Sequence, residues 1–229
     1  MLVIGHRGAS AAHPENTLAA FLGAIDQGAD GVELDVRRTA DGALALCHDE
    51  VLPDGRAVVE VQQAELPPEV PILAQALDVC RPLAVVNVEI KNWPADGDFD
   101  PREQVAADVV ALLEARCELA DGRTLVSSFH LPTVDRVREL APGLATGWLL
   151  GVAEDLGPLV DQAAAAGHVA VHPHHAFVDA TLVARAHDAG LAVNTWTCDD
   201  PVRIRWLADL GVDAVITNVP DIALEALGR

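Results

Sequence analysis

The sequence predicts a closed (β/α)8 barrel. The evidence is its hydrophobic periodicity, the spacing of its predicted strands and the absence of a dinucleotide-binding glycine motif. Short apolar runs alternate with amphipathic helical stretches along the 229 residues. The last five predicted strands begin about 22 residues apart, a spacing that accommodates one strand, one helix and two short loops. A doubly wound open sheet is the alternative, but no glycine-rich dinucleotide fingerprint follows any predicted strand.

The predicted elements form a single domain over residues 1–229, in which each apolar run is a strand and each amphipathic stretch is a helix. The eight predicted strands are Leu2–Gly5, Gly31–Val36, Leu83–Ile90, Thr124–Phe129, Ala145–Leu150, His168–His172, Leu191–Thr197 and Asp213–Thr217. The eight predicted helices are Thr17–Gln27, Ile72–Cys80, Pro101–Ala115, Leu131–Leu140, Leu156–Ala166, Ala180–Ala189, Pro201–Leu210 and Ile222–Leu227.

The second strand–helix unit is longer than the others and contains a small predicted insertion. Thr39–Gly42 has the composition of a turn, and the apolar run Ala43–Cys47 follows it directly. This order predicts a hairpin at the carboxyl end of the second strand. The segment Asp49–Pro71 contains four prolines, and we expect it to be a loop that folds over the barrel mouth.

Composition excludes several classes of function. The net charge of −20 repels phosphate backbones and anionic membrane surfaces, and an aromatic content of 3% leaves little for base stacking, so we expect no nucleic-acid partner. No apolar run approaches the roughly 20 residues that span a bilayer, so we expect no stable membrane insertion.

The first residues and the cysteines bear on the cellular compartment. The chain opens as a strand and not as a signal peptide, and its four cysteines show no C-x-x-C spacing. Reduced thiols and a cytoplasmic location are the expectation.

Acidic residues on two neighbouring strands predict a metal site inside the barrel mouth. Side chains alternate along a strand, so Glu33 and Asp35 share the face opposite the apolar residues of the second strand. The third strand repeats the pattern with Glu89. Three converging carboxylates repel one another and are costly to desolvate, and a divalent cation removes that conflict. All-oxygen ligands favour Mg²⁺ or Ca²⁺, with Mn²⁺ also compatible; the alternative is ordinary ion pairing with nearby arginines or Lys91.

Two histidines and two cations map to the same end of the barrel. His6 and Arg7 follow the first strand between glycines, where an imidazole can transfer protons and a guanidinium can bind phosphate. His48 ends the predicted hairpin. Lys91 is the single lysine beside fourteen arginines, which suggests a position that needs a compact ammonium group. Together with the acids, these groups meet the requirements of phosphodiester cleavage: a cation site, an acid and a base.

Ordered motifs over nearly the whole chain resemble the glycerophosphodiester phosphodiesterase family. In the first half they are His6–Gly8, Pro14–Thr17, Gly28–Asp30, Val32–Asp35, Thr39–Gly42, His48–Asp49, Val70–Leu73 and Asn87–Lys91. In the second half they are Ser127–Phe129, Gly190–Leu191, Asn194–Thr197, Gly211–Asp213 and Ile216–Asn218. The resemblance implies a metal-dependent barrel enzyme that hydrolyses glycerophosphodiesters, its small-molecule substrates, to glycerol 3-phosphate and an alcohol.

The resemblance also implies a role for individual residues. It implies His6 and His48 as the acid–base pair, Glu33, Asp35 and Glu89 as metal ligands, Arg7 and Lys91 as phosphate contacts, Trp196 as a glycerol contact, and Glu15 and Asn16 as supporting residues. Many family members carry an arginine and a threonine soon after the His-Asp pair, whereas this chain continues Glu50–Arg56. That departure leaves the alcohol head group open.

Two other functions stay open at this point. A phosphodiesterase resembling lysophospholipase D or phosphoinositide phospholipase would use the same barrel with a lipid-binding rim. A non-catalytic barrel that binds a phosphodiester or a metal would lack one of the histidines or carboxylates, and all are present. The histidines around the sixth strand are a candidate second metal site, although packing is the favoured interpretation. Trp93, Trp148 and Trp206 are predicted to pack in the core or at the rim, and the oligomeric state is not predicted.

Overall fold

The computed structural model describes residues 1–119, 121–153 and 155–229. Its strands are β1 (Leu2–His6), β2 (Gly31–Arg38), β3 (Leu44–Leu46), β4 (Val85–Ile90), β5 (Thr124–Ser128), β6 (Ala145–Leu150), β7 (Ala170–Pro173), β8 (Ala192–Thr195) and β9 (Ala214–Thr217). Its helices are α1 (Leu18–Asp26), α2 (Leu73–Val79), α3 (Gln104–Ala115), α4 (Leu131–Leu140), α5 (Gly157–Ala166), α6 (Ala180–Asp188), α7 (Pro201–Asp209) and α8 (Pro220–Ala226).

Eight of the strands close into a parallel barrel. The sheet runs in the order β1-β9-β8-β7-β6-β5-β4-β2, and β1 also pairs with β2, which joins the two ends. The predicted barrel is therefore confirmed, and the open sheet is excluded. At the closure His6 lies opposite Glu33, and across β2 and β4 Asp35 lies opposite Glu89. This register brings the carboxyl ends of the first strands to one place.

The apolar face of β2 packs against the helices, as strand alternation predicts. Val32, Leu34 and Val36 have no exposed surface and belong to one core with Phe21 of α1 and Leu73 of α2. Full burial of a side chain of this size contributes about 1.5–3 kcal/mol. Because the apolar side chains occupy the outer layer, the intervening acids must face the barrel interior.

The insertion after β2 forms the predicted hairpin and a small core of its own. β3 runs antiparallel to β2, with Val36 opposite Leu46. Leu52, Val58 and Val61 are buried against β3, and residues 58–60 and 63–65 form short 3-10 turns. The segment after His48 thus packs on the hairpin, and residues 49–51 reach the barrel mouth.

Several predicted boundaries differ from the structure by a few residues. Helix α3 begins at Gln104 instead of Pro101, because Asp100 is held by Asn92 and Glu103 adopts a left-handed backbone with φ of 56°. Helix α8 begins at Pro220, two residues earlier than predicted, since proline suits a first helical turn. The cysteines are free thiols; Cys80 and Cys198 are buried and Cys117 is exposed. No helix of the described residues has the length and apolar character needed to cross a membrane.

Candidate active site

Three carboxylates converge at the carboxyl ends of β2 and β4. Glu33, Asp35 and Glu89 are 2%, 1% and 7% exposed. Each offers an oxygen within 4.8 Å of the oxygens offered by the others. The convergence predicted from strand alternation is thus present in the fold. Its cause is the register, since Asp35 and Glu89 are direct cross-strand partners and Glu33 precedes Asp35 by one inward position.

Ordinary ion pairing accounts for only part of this cluster. Lys91 Nζ lies 2.8 Å from Glu89 Oε1 and 3.4 Å from Asp35 Oδ1. Arg7 Nε lies 3.1 Å from Asp35 Oδ2. Glu33 has no such cation partner at its Oε1 atom, which is buried and without a hydrogen bond among the described residues.

The three carboxyl groups differ in pKa because Lys91 and Arg7 pair with Asp35 and Glu89 but not with Glu33 Oε1. Burial raises the pKa of Glu33 well above its ordinary value, and the negative charges of Asp35 and Glu89 raise it further. Burial also raises the pKa of Glu89. Burial opposes ionisation of Asp35 as well, but Lys91 and Arg7 hold its pKa below the ordinary value. A hard divalent cation fits this donor set, because it satisfies the orphaned oxygen of Glu33 and removes the repulsion.

The nearby arginines of β2 are engaged elsewhere. Arg37 donates to Asp98 at 2.6 and 2.8 Å and to Asp96 at 2.9 Å. Arg38 pairs with Asp108 at 2.5 Å. The alternative in which β2 arginines neutralise the inward acids is therefore not the arrangement in the structure. Among the described residues, Lys91 and Arg7 are the lysine and arginine that pair with the cluster.

Two strained backbone positions support the acids. Arg7 and Asn16 adopt left-handed conformations with φ of 54° and 57°, which cost roughly 1 kcal/mol or more for such residues. Arg7 N–H donates to Glu33 Oε2 at 3.0 Å. Asn16 donates from Nδ2 to Asp35 Oδ2 at 2.8 Å and accepts from Asp35 N–H at 3.1 Å. Glu15 accepts from Arg7 Nη1 through both carboxylate oxygens at 2.9 Å, so Glu15 and Asn16 each contact a group of the acid cluster or its cation.

His6 is oriented by a residue to which sequence reasoning assigned no role. Asn218, which follows β9, places its Oδ1 2.7 Å from His6 Nδ1 and donates from Nδ2 to Asp199 at 2.7 Å. Because Nδ2 is committed to a carboxylate, Oδ1 must accept, so the proton of neutral His6 lies on Nδ1 and Nε2 keeps its lone pair. Burial and the charge of Arg7 lower the pKa of His6. A polar residue at the end of the last strand was the available signal for Asn218.

His48 occupies the other side of the mouth. Its side chain is 36% exposed, and Nδ1 lies 2.7 Å from Asp49 Oδ1. Arg37 Nε donates to the His48 carbonyl at 2.9 Å, which ties the end of the hairpin to β2. The histidine is thus held both through its ring and through its backbone.

A cavity of about 100 Å³ joins these groups. The sequence-predicted residues that line it are His6, Arg7, Glu33, His48, Glu89, Lys91 and Trp196. Asp35, Glu15 and Asn16 lie directly behind, through the contacts given above. Phe129, which lies in one of the family-like motifs but had no predicted role, packs edge-to-face on Trp196 with ring centroids 5.3 Å apart. Trp196 Nε1 donates to the His172 carbonyl at 2.7 Å, so its ring is a fixed apolar wall of the cavity.

His168, just before β7, and His172, within β7, do not share one site. His168 hydrogen-bonds Thr146 and Asp135, whereas His172 contacts Asn194 at 3.1 Å. Complete burial lowers the pKa of His172 to about 3, so this imidazole is neutral. The metal-compatible groups in the described part of the chain consist of carboxylates alone. The packing interpretation of these histidines is the one that the structure favours.

Comparison with known proteins gives one consistent result. The model of the glycerophosphoryl diester phosphodiesterase family matches residues 6–222. The chain is 30% identical over 245 residues to a glycerophosphodiester phosphodiesterase of Caldanaerobacter subterraneus subsp. tengcongensis, covering 100% of this chain and 98% of that protein. A phosphodiesterase of Oleispira antarctica, solved in complex with the product sn-glycerol-3-phosphate, superposes with a TM-score of 0.87 at 26% identity, covering 100% and 97%. The glycerophosphodiester phosphodiesterase of Thermotoga maritima gives a TM-score of 0.79 at 26% identity, covering 100% and 98%.

Proposed function

The chain belongs to the glycerophosphoryl diester phosphodiesterase family, and from this premise we propose that its barrel mouth hydrolyses glycerophosphodiesters by metal-dependent, two-histidine acid–base catalysis. The products are glycerol 3-phosphate and an alcohol. The observation that carries the proposal is the buried triad of Glu33, Asp35 and Glu89, of which Glu33 and Glu89 line one cavity with His6 and His48 and Asp35 lies directly behind.

Charge balance explains why the site needs a cation. The three carboxylates of the triad outnumber Arg7 and Lys91, and Glu15 already engages Arg7. A phosphodiester monoanion entering this site would be repelled. Glu33, Asp35 and Glu89 would hold Mg²⁺ or Ca²⁺, with Mn²⁺ also compatible. Such an ion would supply positive charge against the phosphate oxygens and would make the attacking hydroxyl easier to deprotonate.

Arg7 and Lys91 position the phosphate from two sides. Burial opposes their charge, but the adjacent carboxylates raise the pKa of both groups, so each remains charged at neutral pH. Lys91 presents a compact ammonium group and Arg7 a planar fork of donors. The ring of Trp196 would pack against the glycerol moiety, which fixes the end of the substrate that becomes glycerol 3-phosphate.

The histidines divide the proton transfers. His6 is the better base, because Asn218 holds the proton on Nδ1 and leaves the Nε2 lone pair free. Nε2 takes the proton of the attacking hydroxyl, which belongs either to water or to the neighbouring glycerol hydroxyl through a cyclic phosphate. His48, at the more open side of the cavity, gives a proton to the departing alkoxide. Asp49 orients its ring for that transfer.

Release of glycerol 3-phosphate from glycerophosphocholine and glycerophosphoethanolamine tests the proposal. Chelator-stripped protein should be inactive, and addition of Mg²⁺, Ca²⁺ or Mn²⁺ should restore release. His6→Ala and His48→Ala should each lower kcat on the order of 10²–10⁴-fold, as expected for loss of a proton-transfer group. Cleavage of lysophosphatidylcholine but not of either water-soluble diester would instead favour a lysophospholipase D-like enzyme. Full activity without added metal, or in either histidine variant, would contradict the mechanism.

A further inference from the structure

A second, larger cavity opens beside the catalytic one. Its volume is about 700 Å³, and it shares His48, Glu89, Lys91 and Phe129 with the 100 Å³ cavity. A third cavity of about 510 Å³ also reaches this side of the mouth, but it shares only His48. If His48 protonates the departing oxygen, the alcohol lies beyond His48, and the 700 Å³ cavity is the space continuous with that position. We refer to it as the head-group cavity.

The head-group cavity carries an excess of negative charge. Asp49, Glu50 and Asp96 line it. Of its described arginine and lysine residues, Lys91 is shared with the catalytic cavity and Arg37 is not. Arg37 is 4% exposed and is already neutralised by Asp98 and Asp96. Lys91, at the inner end, is held by the catalytic acids. An anionic head group therefore finds no free cation among the described lining residues, and it faces repulsion.

Aromatic rings complete the wall of the same cavity. Trp93 is 49% exposed, and its ring packs edge-to-face on Phe129 with centroids 6.5 Å apart. This contact fixes the indole while leaving much of its surface open. An indole face in a cavity lined by carboxylates is an environment that attracts an ammonium group, through the ring quadrupole and the negative charge of the same cavity. The 510 Å³ cavity is lined by acids, but none of its described lining residues is a tryptophan or a phenylalanine.

We propose that the head-group cavity selects glycerophosphodiesters whose alcohol carries an ammonium group, such as choline or ethanolamine, over those with a neutral polyol. Trp93 and Glu50 are the residues that determine this specificity. The inference rests on the proposed function, since it names the substrate class of that same site. The stretch after His48-Asp49, where this chain departs from the family pattern, supplies Glu50.

The kinetic test compares kcat/KM for glycerophosphocholine with that for glycerophosphoglycerol. The ratio should be about tenfold or more, which corresponds to a partly desolvated cation–π contact with a carboxylate nearby. Trp93→Leu should reduce the ratio toward one, mainly by raising KM for the choline substrate, with the glycerol substrate little changed. Glu50→Gln should act in the same direction, and it keeps an oxygen that accepts from Gly97 N–H. Glu69→Gln in the 510 Å³ cavity is the matched control and should leave the ratio unchanged.

Direct binding of choline separates this inference from the proposed function. Choline chloride should change the tryptophan fluorescence of the metal-free protein more than the same concentration of sodium chloride does, and Trp93→Leu should abolish the difference. Equal rates on both diesters, together with no choline response, would overturn the inference and leave the phosphodiesterase activity standing. Failure to cleave any glycerophosphodiester would overturn the proposed function, and the choline titration would still decide whether the cavity recognises an ammonium group.

Discussion

Replacing Glu33 by glutamine should stabilise the metal-free protein and remove its response to metal. Two unit charges within 4.8 Å of each other repel by about 3 kcal/mol or more at an effective dielectric constant of 20. Burial and the charges of Asp35 and Glu89 raise the pKa of Glu33, so the metal-free site resists the ionised form of this carboxyl, which glutamine replaces by a neutral amide. We expect a net gain of about 1–3 kcal/mol for Glu33→Gln in chelator. The amide oxygen of glutamine can still accept from Arg7 N–H.

Metal binding should also raise the free energy of unfolding and the Tm of the unmodified protein. An ion at 100 times its dissociation constant adds about 2.7 kcal/mol to the free energy of unfolding. In a domain of this size each kcal/mol raises Tm by about 2–4 °C, so saturation should raise Tm by about 5–10 °C. Glu33→Gln should lose this increase. Thermal melts followed by circular dichroism, in chelator and across a metal titration, measure both effects, and calorimetric titration measures the affinity directly.

Glu103→Gln provides the control for a buried carboxylate outside the cluster. Glu103 is 8% exposed and accepts hydrogen bonds from Asn92 at 2.8 Å and Thr133 at 2.7 Å. Its replacement should lower Tm in chelator and leave the metal-induced increase intact. If Glu33→Gln keeps the full metal-induced increase, Glu33 is not a ligand. If it lowers Tm in chelator as Glu103→Gln does, the repulsion argument is wrong.

Three further predictions follow from named contacts. Lys91→Arg keeps the charge but enlarges the group in a cavity of about 100 Å³, so kcat/KM should fall on the order of 100-fold while the far-ultraviolet circular dichroism spectrum is unchanged. Asn218→Ala frees the His6 ring, so kcat should fall about 10- to 100-fold with KM and metal affinity retained; a fall in metal affinity instead would point to a structural role. Burial lowers the pKa of His172 in the folded protein to about 3, against 6.5 for the free group. Between these pH values the unfolded chain binds a proton at His172 that the folded protein does not, so the free energy of unfolding falls as pH drops from 6.5 toward 3. In urea unfolding, His172→Gln should remove about 1.4 kcal/mol of that loss per pH unit, and parallel curves for the two proteins would refute the assignment.

The outline of the site was accessible from sequence because strand alternation is a local rule. The inward direction of Glu33, Asp35 and Glu89 follows once their apolar neighbours are assigned to the helix layer. The positions of His6 and His48 follow from the ends of β1 and the hairpin. Each inference uses only residues within a few positions of one another, and the barrel then brings the strand ends together.

The boundaries and the insertion show where local rules lose precision. The hairpin of β2 and β3 follows from its turn sequence, but the packing of Leu52, Val58 and Val61 on β3 does not. The start of α3 depends on Asn92 holding Asp100, a contact between a strand end and a loop. Such hydrogen bonds between side chain and backbone compete with helix formation, and hydrophobic periodicity does not predict them.

By itself the sequence determined the barrel, the inward acids and the set of polar groups at the mouth, because periodicity and composition are properties of neighbouring residues. Tertiary structure alone decided how those groups are paired. His6 takes its orientation from Asn218, 212 positions away, and Arg37 is withdrawn from the site by Asp98, 61 positions away. Phe129 and Trp93 meet only because two loops converge at the mouth. Closure of the ring through β1 and β2 sets these distances, and closure is a property of all eight strands together.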